Sequence, residues 1–400
     1  MKIGLISINA HTKVLNFASP LHTYAFQQFL VQNGLESEII DYKPCYYGKF
    51  DVKHPYDFWL AHPMKDSKKQ EETLEKWKLL YDDRAVRFDK FEAFIQKYYI
   101  KTNECYTQED LDKTDLGYDI YMCVTDVIWK YNPKNGYDRG FFLACKSMEN
   151  KGKIAYSTSK GAKEYTEEQG AYFKQLIDSF HYISCREKSL YNYINSKTKK
   201  KASLVLDPVF LQKRSFYENL AQRPKESGYV LIYAVMEVAD QLVEEAMAFA
   251  KKRNLKVIDV SDDKTILYHS PNGERITKYD IGVEEWLGYM QNADYIFTNS
   301  FHCCCFSIIF NKQFYVGKRG GDKVDWLLEL FDLKQRKFAY GKFVEQKDIN
   351  FEPINNKVEE YVKVSSKWVL DAIHRTQKQL KNPILKKFQF RKLKGIDKRL

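Results

Sequence analysis

Twice along this chain an apolar, strand-like run gives way to an amphipathic helical stretch and then to a second apolar run. Nothing else in the sequence narrows the fold as much. The first set is "KIGLISI" (2–8), "SPLHTYAFQQFLVQNG" (19–34, closing on Gly34 as a helix C-cap) and "SEIIDY" (37–42). The second is "YVLIYAV" (229–235), "ADQLVEEAMAFAKKRN" (239–254) and "LKVIDV" (255–260). Strand–helix–strand units of this kind build parallel sheets with helices on both faces. The alternation continues through "YDIYMCVTDVIW" (118–129), "KIAYSTSKG" (153–161), "HYISCREKSLYNYI" (181–194) and "ASLVLDPVFL" (202–211). It resumes in "VEEWLGYMQNA" (283–293), "DYIFTN" (294–299) and "CCCFSIIFN" (303–311, a helix or buried turn). The expected class is α/β, with two Rossmann-like, doubly wound domains facing a cleft.

Four hundred residues suit two domains of common size. The first is expected over 1–215. It carries a helical insertion at about 50–115, where "DSKKQEETLEKWKLLYDDRAVRFDKFEAFIQKYY" has long helical periodicity. The second is expected over 216–345, restarting after the polar "QRPKESG" (222–228). A helical segment over 346–380 and a basic tail over 381–400 follow. Aromatic residues, 15% of the chain, either fill two cores or line a sugar site.

The formal charge of +11 is unevenly spread. Residues 381–400 hold eight Lys/Arg and one Asp, a net of +7, which leaves +4 for the other 380 residues. So balanced a body argues against a nucleic-acid partner. The tail mixes its cations with Ile384, Leu385, Phe388, Phe390 and Leu393. It can either lie on an anionic membrane surface or be a solvated terminus. No window approaches the roughly 20 apolar residues of a membrane-spanning helix. "MKIGLISINAHTK" turns polar too soon for a secretory signal. The expected location is cytoplasmic, with the tail as a peripheral membrane contact. Eight cysteines, mostly single and within apolar segments, read as reduced buried thiols.

Open parallel sheets bind ligands at the carboxyl ends of their strands. The polar residues there are Thr125 and Asp126; Ser157, Thr158 and Ser159; Arg186 and Glu187; Asp207; and Thr298, Asn299, Ser300 and His302. His302 follows the strand "DYIFTN", with a helix expected to begin near Ser300 or Phe301. A helix N-terminus offers unpaired N–H groups to an anion, and a histidine there can donate to it or act as a general acid. The competing reading is a core histidine satisfied by hydrogen bonds. Three successive cysteines, 303 to 305, point over a wide arc and cannot converge on one metal ion, so no metal site is expected. A helix N-terminus can activate Cys303, but small packed thiols are the simpler reading. Arg186 can fork onto carboxylate or phosphate oxygens. Lys318 and Arg319, in "VGKRGG", form a second cationic pair. The residues alone thus reach a two-domain α/β protein with an anion site in its cleft.

The segment "IGVEEWLGYMQNADYIFTNSFHCCCFSIIFNKQFYV" (281–316) resembles the hallmark of the polysaccharide pyruvyl transferase family. "YDIYMCVTDVIWKYNP", "KIAYSTSKG", "ISCREKS" and "VLDPVFL" resemble its other segments in the same order, over roughly residues 2 to 335. The resemblance implies a pair of Rossmann-like domains similar to the GT-B glycosyltransferases, with the acceptor on the first and the donor on the second. It implies phosphoenolpyruvate as the donor substrate and no cofactor. The acceptor would be a sugar of a surface glycan or its lipid-linked precursor, and the product a pyruvate ketal. His302 is then expected as proton donor or phosphate contact. Asp126, Glu284 and Glu285 are candidates for base or charge stabiliser, with His302, Asp126 and Glu285 as the catalytic set. Arg186, Lys318 and Arg319 would take the donor's phosphate and carboxylate, with Thr125, Asn299, Ser300 and Glu284 as further substrate contacts. Cys303 and Cys304 stand where the family usually has glycine and a small residue, and the loop "NAHTKVLNFASPLH" lacks the usual glycine. A nucleotide-sugar glycosyltransferase of the same fold, or a non-catalytic partner in glycan assembly, are the alternatives.

Overall fold

The computed structural model describes residues 1–8, 14–237, 239–271 and 273–382. The basic tail therefore lies outside the described residues, apart from Lys381 and Asn382, as does part of the loop after the first strand.

The first lobe is a seven-stranded parallel sheet. Its strands are β1 (Lys2–Ile6), β2 (Glu36–Tyr42), β3 (Lys101–Tyr106), β4 (Ile120–Asp126), β5 (Gly152–Thr158), β6 (Tyr182–Cys185) and β7 (Ala202–Leu204), in spatial order 3-2-1-4-5-6-7. Its helices are α1 (Ala18–Gln32), α2 (Pro55–Ala61), α3 (Ser67–Leu79), α4 (Tyr81–Tyr98), α5 (Gln108–Lys113), α6 (Glu167–Ile177) and α7 (Lys188–Lys197). The central β4 is buried on both sides, which is why "IYMCV" is an unbroken apolar run rather than an alternating one. Ile120, Met122 and Val124 join the core under α1, while Tyr121 and Cys123 join the core under α6 and α7.

A short helix, α8 (Arg214–Glu218), leads to the second lobe. Its six parallel strands are β8 (Tyr229–Tyr233), β9 (Lys256–Asp259), β10 (Ile276–Thr277), β11 (Tyr295–Thr298), β12 (Gln313–Gly317) and β13 (Lys337–Phe338). Their spatial order is 10-9-8-11-12-13, the same sequence of crossings as in the first lobe. The helices are α9 (Asp240–Lys252), α10 (Val283–Asn292), α11 (Phe301–Ile309) and α12 (Lys323–Leu330). The strand order of each sheet reverses once, between β1 and β4 and between β8 and β11, and such reversals open the ligand crevice of this architecture. Two doubly wound α/β lobes are thus present.

One feature departs from the sequence reading. Residues 50–115 are not wholly helical: after α2 to α4 the chain forms β3, the edge strand of the first sheet. "KTNECY" buries only Thr102 fully, so it carries little of the apolar signal of an inner strand. The last helix, α13 (Glu352–Lys381), belongs to neither half in sequence order. Its Val369, Ala372 and Ile373 share a core with Ile3, Leu5 and Met122 of the first lobe, its Ile354 joins the core of the second, and the Leu206 amide donates to Ser365 Oγ (3.0 Å). No helix among the described residues is long and apolar enough to cross a membrane.

The lobes share an apolar seam. Phe17 stacks on Trp286 at 5.5 Å, and Phe91 and Phe94 of α4 join the core of the second lobe. On its other side α10 lies close against the segment entering the second lobe, where Gly288 leaves room for the Gln222 carbonyl that a Cβ would strike.

Candidate active site

Where the carboxyl ends of β4, β6 and β11 face one another, the structure gathers six ionisable side chains from distant parts of the chain. Arg186, following β6, is the hub. Its Nη2 donates to Asp126 Oδ1 (2.7 Å) and its Nη1 to Asp207 Oδ2 (2.7 Å). Nη1 also lies 3.2 Å from His302 Nε2, and the guanidinium carbon sits 4.6 Å over the Phe301 ring. His302 comes from the second lobe and Arg186, Asp126 and Asp207 from the chain before it, so the cluster spans the cleft.

Local backbone aims each group. Ser300 is the N-cap of α11, its Oγ accepting from the Cys303 amide (3.4 Å), so His302 lies in the first turn of the helix. Asp207 caps the turn formed by Pro208–Leu211, with Oδ1 accepting from the Val209 amide. Thr125 and Asp126 close β4 with φ of 40° and 64°, and Ser157 of β5 has φ of 55°. Left-handed backbone at a β-branched threonine costs on the order of 1–3 kcal/mol. It is held by the Thr125 hydroxyl, which donates to Ser157 O (2.9 Å) and stands 3.1 Å from Asp207 Oδ2.

The electrostatics follow from burial and pairing. Burial alone would raise the Asp126 carboxyl, but Arg186 foremost, then His302, Lys323 and His22, hold it well below the carboxylate range. Burial likewise opposes ionisation of Asp207, and His302 and Arg186 reverse it. Both carboxylates therefore stay ionised. His302 Nε2 lies 3.4 Å from Asp207 Oδ2 as well as beside Arg186 Nη1. A neutral ring accepts there from the guanidinium, and a protonated ring donates to the carboxylate. The nitrogen has a partner in either state.

Sequence reasoning missed two members, His22 and Lys323, and named Asp207 without giving it a role. His22 of α1 is fully buried, and its ring stacks on that of His302 with centroids 5.4 Å apart. Burial first, and His302 beside it, push its pKa down to about 3. Its one signal was a histidine on the helix face that also holds Phe26 and Phe29. Asp207 stood among the strand-end polar residues, and the Asp-Pro pair marked its turn. Lys323 begins α12, its Nζ 5.9 Å over Phe301. Burial first, then the nearby Arg186, bring it down to about 8. Nothing in the sequence set it apart from other lysines.

The remaining candidates divide. Thr125, Asp126, Arg186 and His302 are in the cluster, and Ser300 positions it. Arg319 stands beside Asn299, its Nη1 3.4 Å from the Asn299 carbonyl, and acts on Lys323. Lys318 is exposed. The Asn299 side chain is turned to β8, its Oδ1 accepting from the Val235 amide and its Nδ2 donating to Val235 O. Glu284 and Glu285 are engaged elsewhere. Glu285 accepts from Lys90 Nζ (2.9 Å) and caps the Gly282 amide (2.7 Å), and Glu284 accepts from Lys97 Nζ and Tyr98 OH. Both tie α10 to the insertion helix α4. Burial pushes the Cys303 thiol up to about 12, and Cys304 and Cys305 well above the ordinary range, so none is an activated nucleophile.

The sequence profile of the family described as polysaccharide pyruvyl transferase matches residues 21–316, which runs from α1 through His302 to β12. The chain belongs to the polysaccharide pyruvyl transferase family. The match takes in five of the six clustered groups and leaves Lys323 just beyond its end. No curated protein matches the chain. Among solved structures, the chain is similar to UDP-GlcNAc 2-epimerases from Methanocaldococcus jannaschii, in complex with UDP-GlcNAc and UDP (TM-score 0.44, 11% identity, 94% of this chain and 100% of that one), and from Neisseria meningitidis (TM-score 0.45, 10%, 94% and 100%). It is similar as well to a UDP-glucosyltransferase from Polygonum tinctorium (TM-score 0.42, 10%, 94% and 98%). In this pyruvyl transferase family member, the glutamate pair of the hallmark segment is thus part of a seam between lobes, and the histidine is part of the cluster.

Proposed function

We propose that the protein transfers a pyruvyl group from phosphoenolpyruvate to a sugar of a surface polysaccharide or its lipid-linked precursor, forming a ketal. The observation that carries this reading is the meeting of His302 with Arg186, Asp126 and Asp207 across the cleft, within 3.4 Å of one another along the chain of contacts.

In the reaction, a proton adds to the methylene carbon of the donor, turning it into a methyl group. One sugar hydroxyl oxygen bonds to the adjacent carbon, a second replaces the phosphate there, and phosphate departs with the remaining proton. His302 is suited to deliver the first proton, because its Nε2 keeps a partner before and after. Asp126, whose side chain is 17% exposed and the most open carboxylate of the cluster, is held too acidic for an efficient base. It suits the other role, stabilising positive charge at the carbon under attack. Lys323 and Arg319 supply cations for phosphate and carboxylate, while Arg186 holds the two aspartates in place and adds its charge. The loop after β8, "AVMEVA", has no glycine, and Asn299 occupies both the N–H and C=O of Val235. This favours a small anionic donor over a nucleotide diphosphate cradled by that turn.

The test is incubation with phosphoenolpyruvate and a panel of lipid-linked oligosaccharides. The expected result is one phosphate released per acceptor, whose mass rises by one pyruvate less one water. Displacement of a bound probe by nucleotide sugars but not by phosphoenolpyruvate would replace this reading with a glycosyltransferase. The capsule or exopolysaccharide setting, and a peripheral cytoplasmic site on the membrane, extend the proposal.

A further inference from the structure

Helix α7, in the first lobe, does not cap itself. Glu187 occupies its N-cap position, but the Glu187 carboxylate turns away to accept from Ser159 Oγ (2.7 Å) and the Lys160 amide (2.9 Å). The cap comes instead from the second lobe. Asp322 Oδ2 accepts from the Ser189 amide (2.7 Å), and its Oδ1 accepts from Ser189 Oγ (2.9 Å). Asp322 is itself the N-cap residue of α12 and makes no side-chain cap to its own helix. An aspartate that could stabilise its own helix serves a helix of the other lobe. The neighbouring contacts reinforce this docking: Lys188 pairs with Glu329 (2.7 Å) and lies 4.1 Å over Trp326.

The next residue after Asp322 is Lys323, and the residue three before Ser189 is Arg186. The cross-lobe cap thus fixes, on one side, the helix start that carries a donor-binding cation and, on the other, the segment that carries the hub of the cluster. We propose that Asp322 is a positioning residue for donor binding, holding Lys323 against Arg186 by capping α7 from across the cleft. This rests on the reading that phosphoenolpyruvate is the donor. Removing the cap lets α12 move away from α7, and the anion loses one of its cations while His302, on α11, stays in place. The loss therefore falls on donor affinity rather than on turnover at saturation.

The experiment is phosphoenolpyruvate titration by calorimetry, with steady-state kinetics, on the wild-type protein and on Asp322→Ala, Asp322→Asn and Ser189→Ala. Asparagine can still accept from one Ser189 group and donate to its hydroxyl, so it keeps the geometry. Asp322→Ala is expected to raise the donor Kd and KM about tenfold with kcat within twofold. Asp322→Asn should recover most of that, and Ser189→Ala should fall between. Equal donor affinity in Asp322→Ala and wild type would overturn the inference, as would a loss confined to kcat. Absence of phosphoenolpyruvate binding by the wild type would overturn the donor assignment instead. A readout free of the donor is amine labelling of Lys323 against pH. Its midpoint, near 8 in the wild type, is set by burial, Arg186, Asp126, Arg319 and Glu187. It should rise toward the ordinary lysine value of about 10.4 in Asp322→Ala. An unmoved midpoint would mean that the cap does not position Lys323.

Discussion

Two sets of acidic residues bridge the lobes, and they differ in nearly every physical respect. Asp126 and Asp207 share one guanidinium whose side chain is 1% exposed. Glu284 and Glu285 pair with lysines 62% and 37% exposed. The first pair is held where water is scarce, so each charge depends on its partner and no group can leave alone. The second lies at a solvated seam, where ion pairs contribute little and side chains exchange partners freely. Proximity of charge across a cleft therefore does not by itself mark chemistry. Burial, shared hydrogen bonds and a histidine with two alternative partners do.

Substitutions in the buried set should have the largest effects. His302→Ala is expected to lower kcat by about 10²–10⁴-fold, the range of a general acid. Asp207→Asn should approach it by loosening both His302 and Arg186. Arg186→Ala removes the partner that two buried carboxylates share and should cost about 3–5 kcal/mol in stability, measured by denaturant unfolding. Arg186→Lys, which keeps a charge but not the fork, is the variant for kinetics. Wild-type turnover in His302→Ala would remove the distinction between the two sets.

A pH profile sharpens it further. Lys323 is brought down to about 8, so the free enzyme loses that cation as pH rises through this value. The donor kcat/KM should fall about tenfold per pH unit above it, and Lys323→Ala should abolish this limb. At low pH the signs are these. His22 is pushed down to about 3 and His181 to about 4, both by burial, so between the unfolded value near 6.5 and these values the unfolded chain binds more protons. Stability should fall as pH drops through that window. His22→Phe should flatten part of the slope, with His181 supplying the rest. Asp126 and Asp207 add to the loss only below the ordinary carboxylate pKa, because their folded values are depressed.

The smallest effect belongs to the seam. Glu285→Gln keeps the cap on Gly282 and removes only the pairing with Lys90. It should change unfolding free energy by about 1 kcal/mol or less and leave kcat within twofold. A hundredfold loss of kcat would return Glu285 to the catalytic set.

The sequence carried the architecture because the inner strands are buried on both faces and helices such as α6, α9 and α10 carry an apolar stripe, and these patterns are local. It carried His302, Asp126 and Arg186 because each ends or follows a strand. It misassigned the weight of Glu284 and Glu285 because their partners, Lys97 and Lys90, lie nearly two hundred residues earlier on a helix whose docking no local pattern records. Lys323 was illegible for the same reason, since Arg186 and Asp126, which surround it with Phe301, are remote in sequence. β3 was hidden because an edge strand needs few apolar residues.

The return of α13 to the first lobe means that the polypeptide passes between the lobes twice, once through residues 205–228 and again along α13 itself, where Tyr361 still meets Phe331 of the second lobe while Val369 and Ile373 lie in the core of the first. A body tethered at two points rocks about the line joining them but resists twisting. Nicking one tether would leave the other to keep the halves in register. The second crossing is a continuous helix rather than a loop, so it braces the two lobes whose meeting holds His302 beside Asp207.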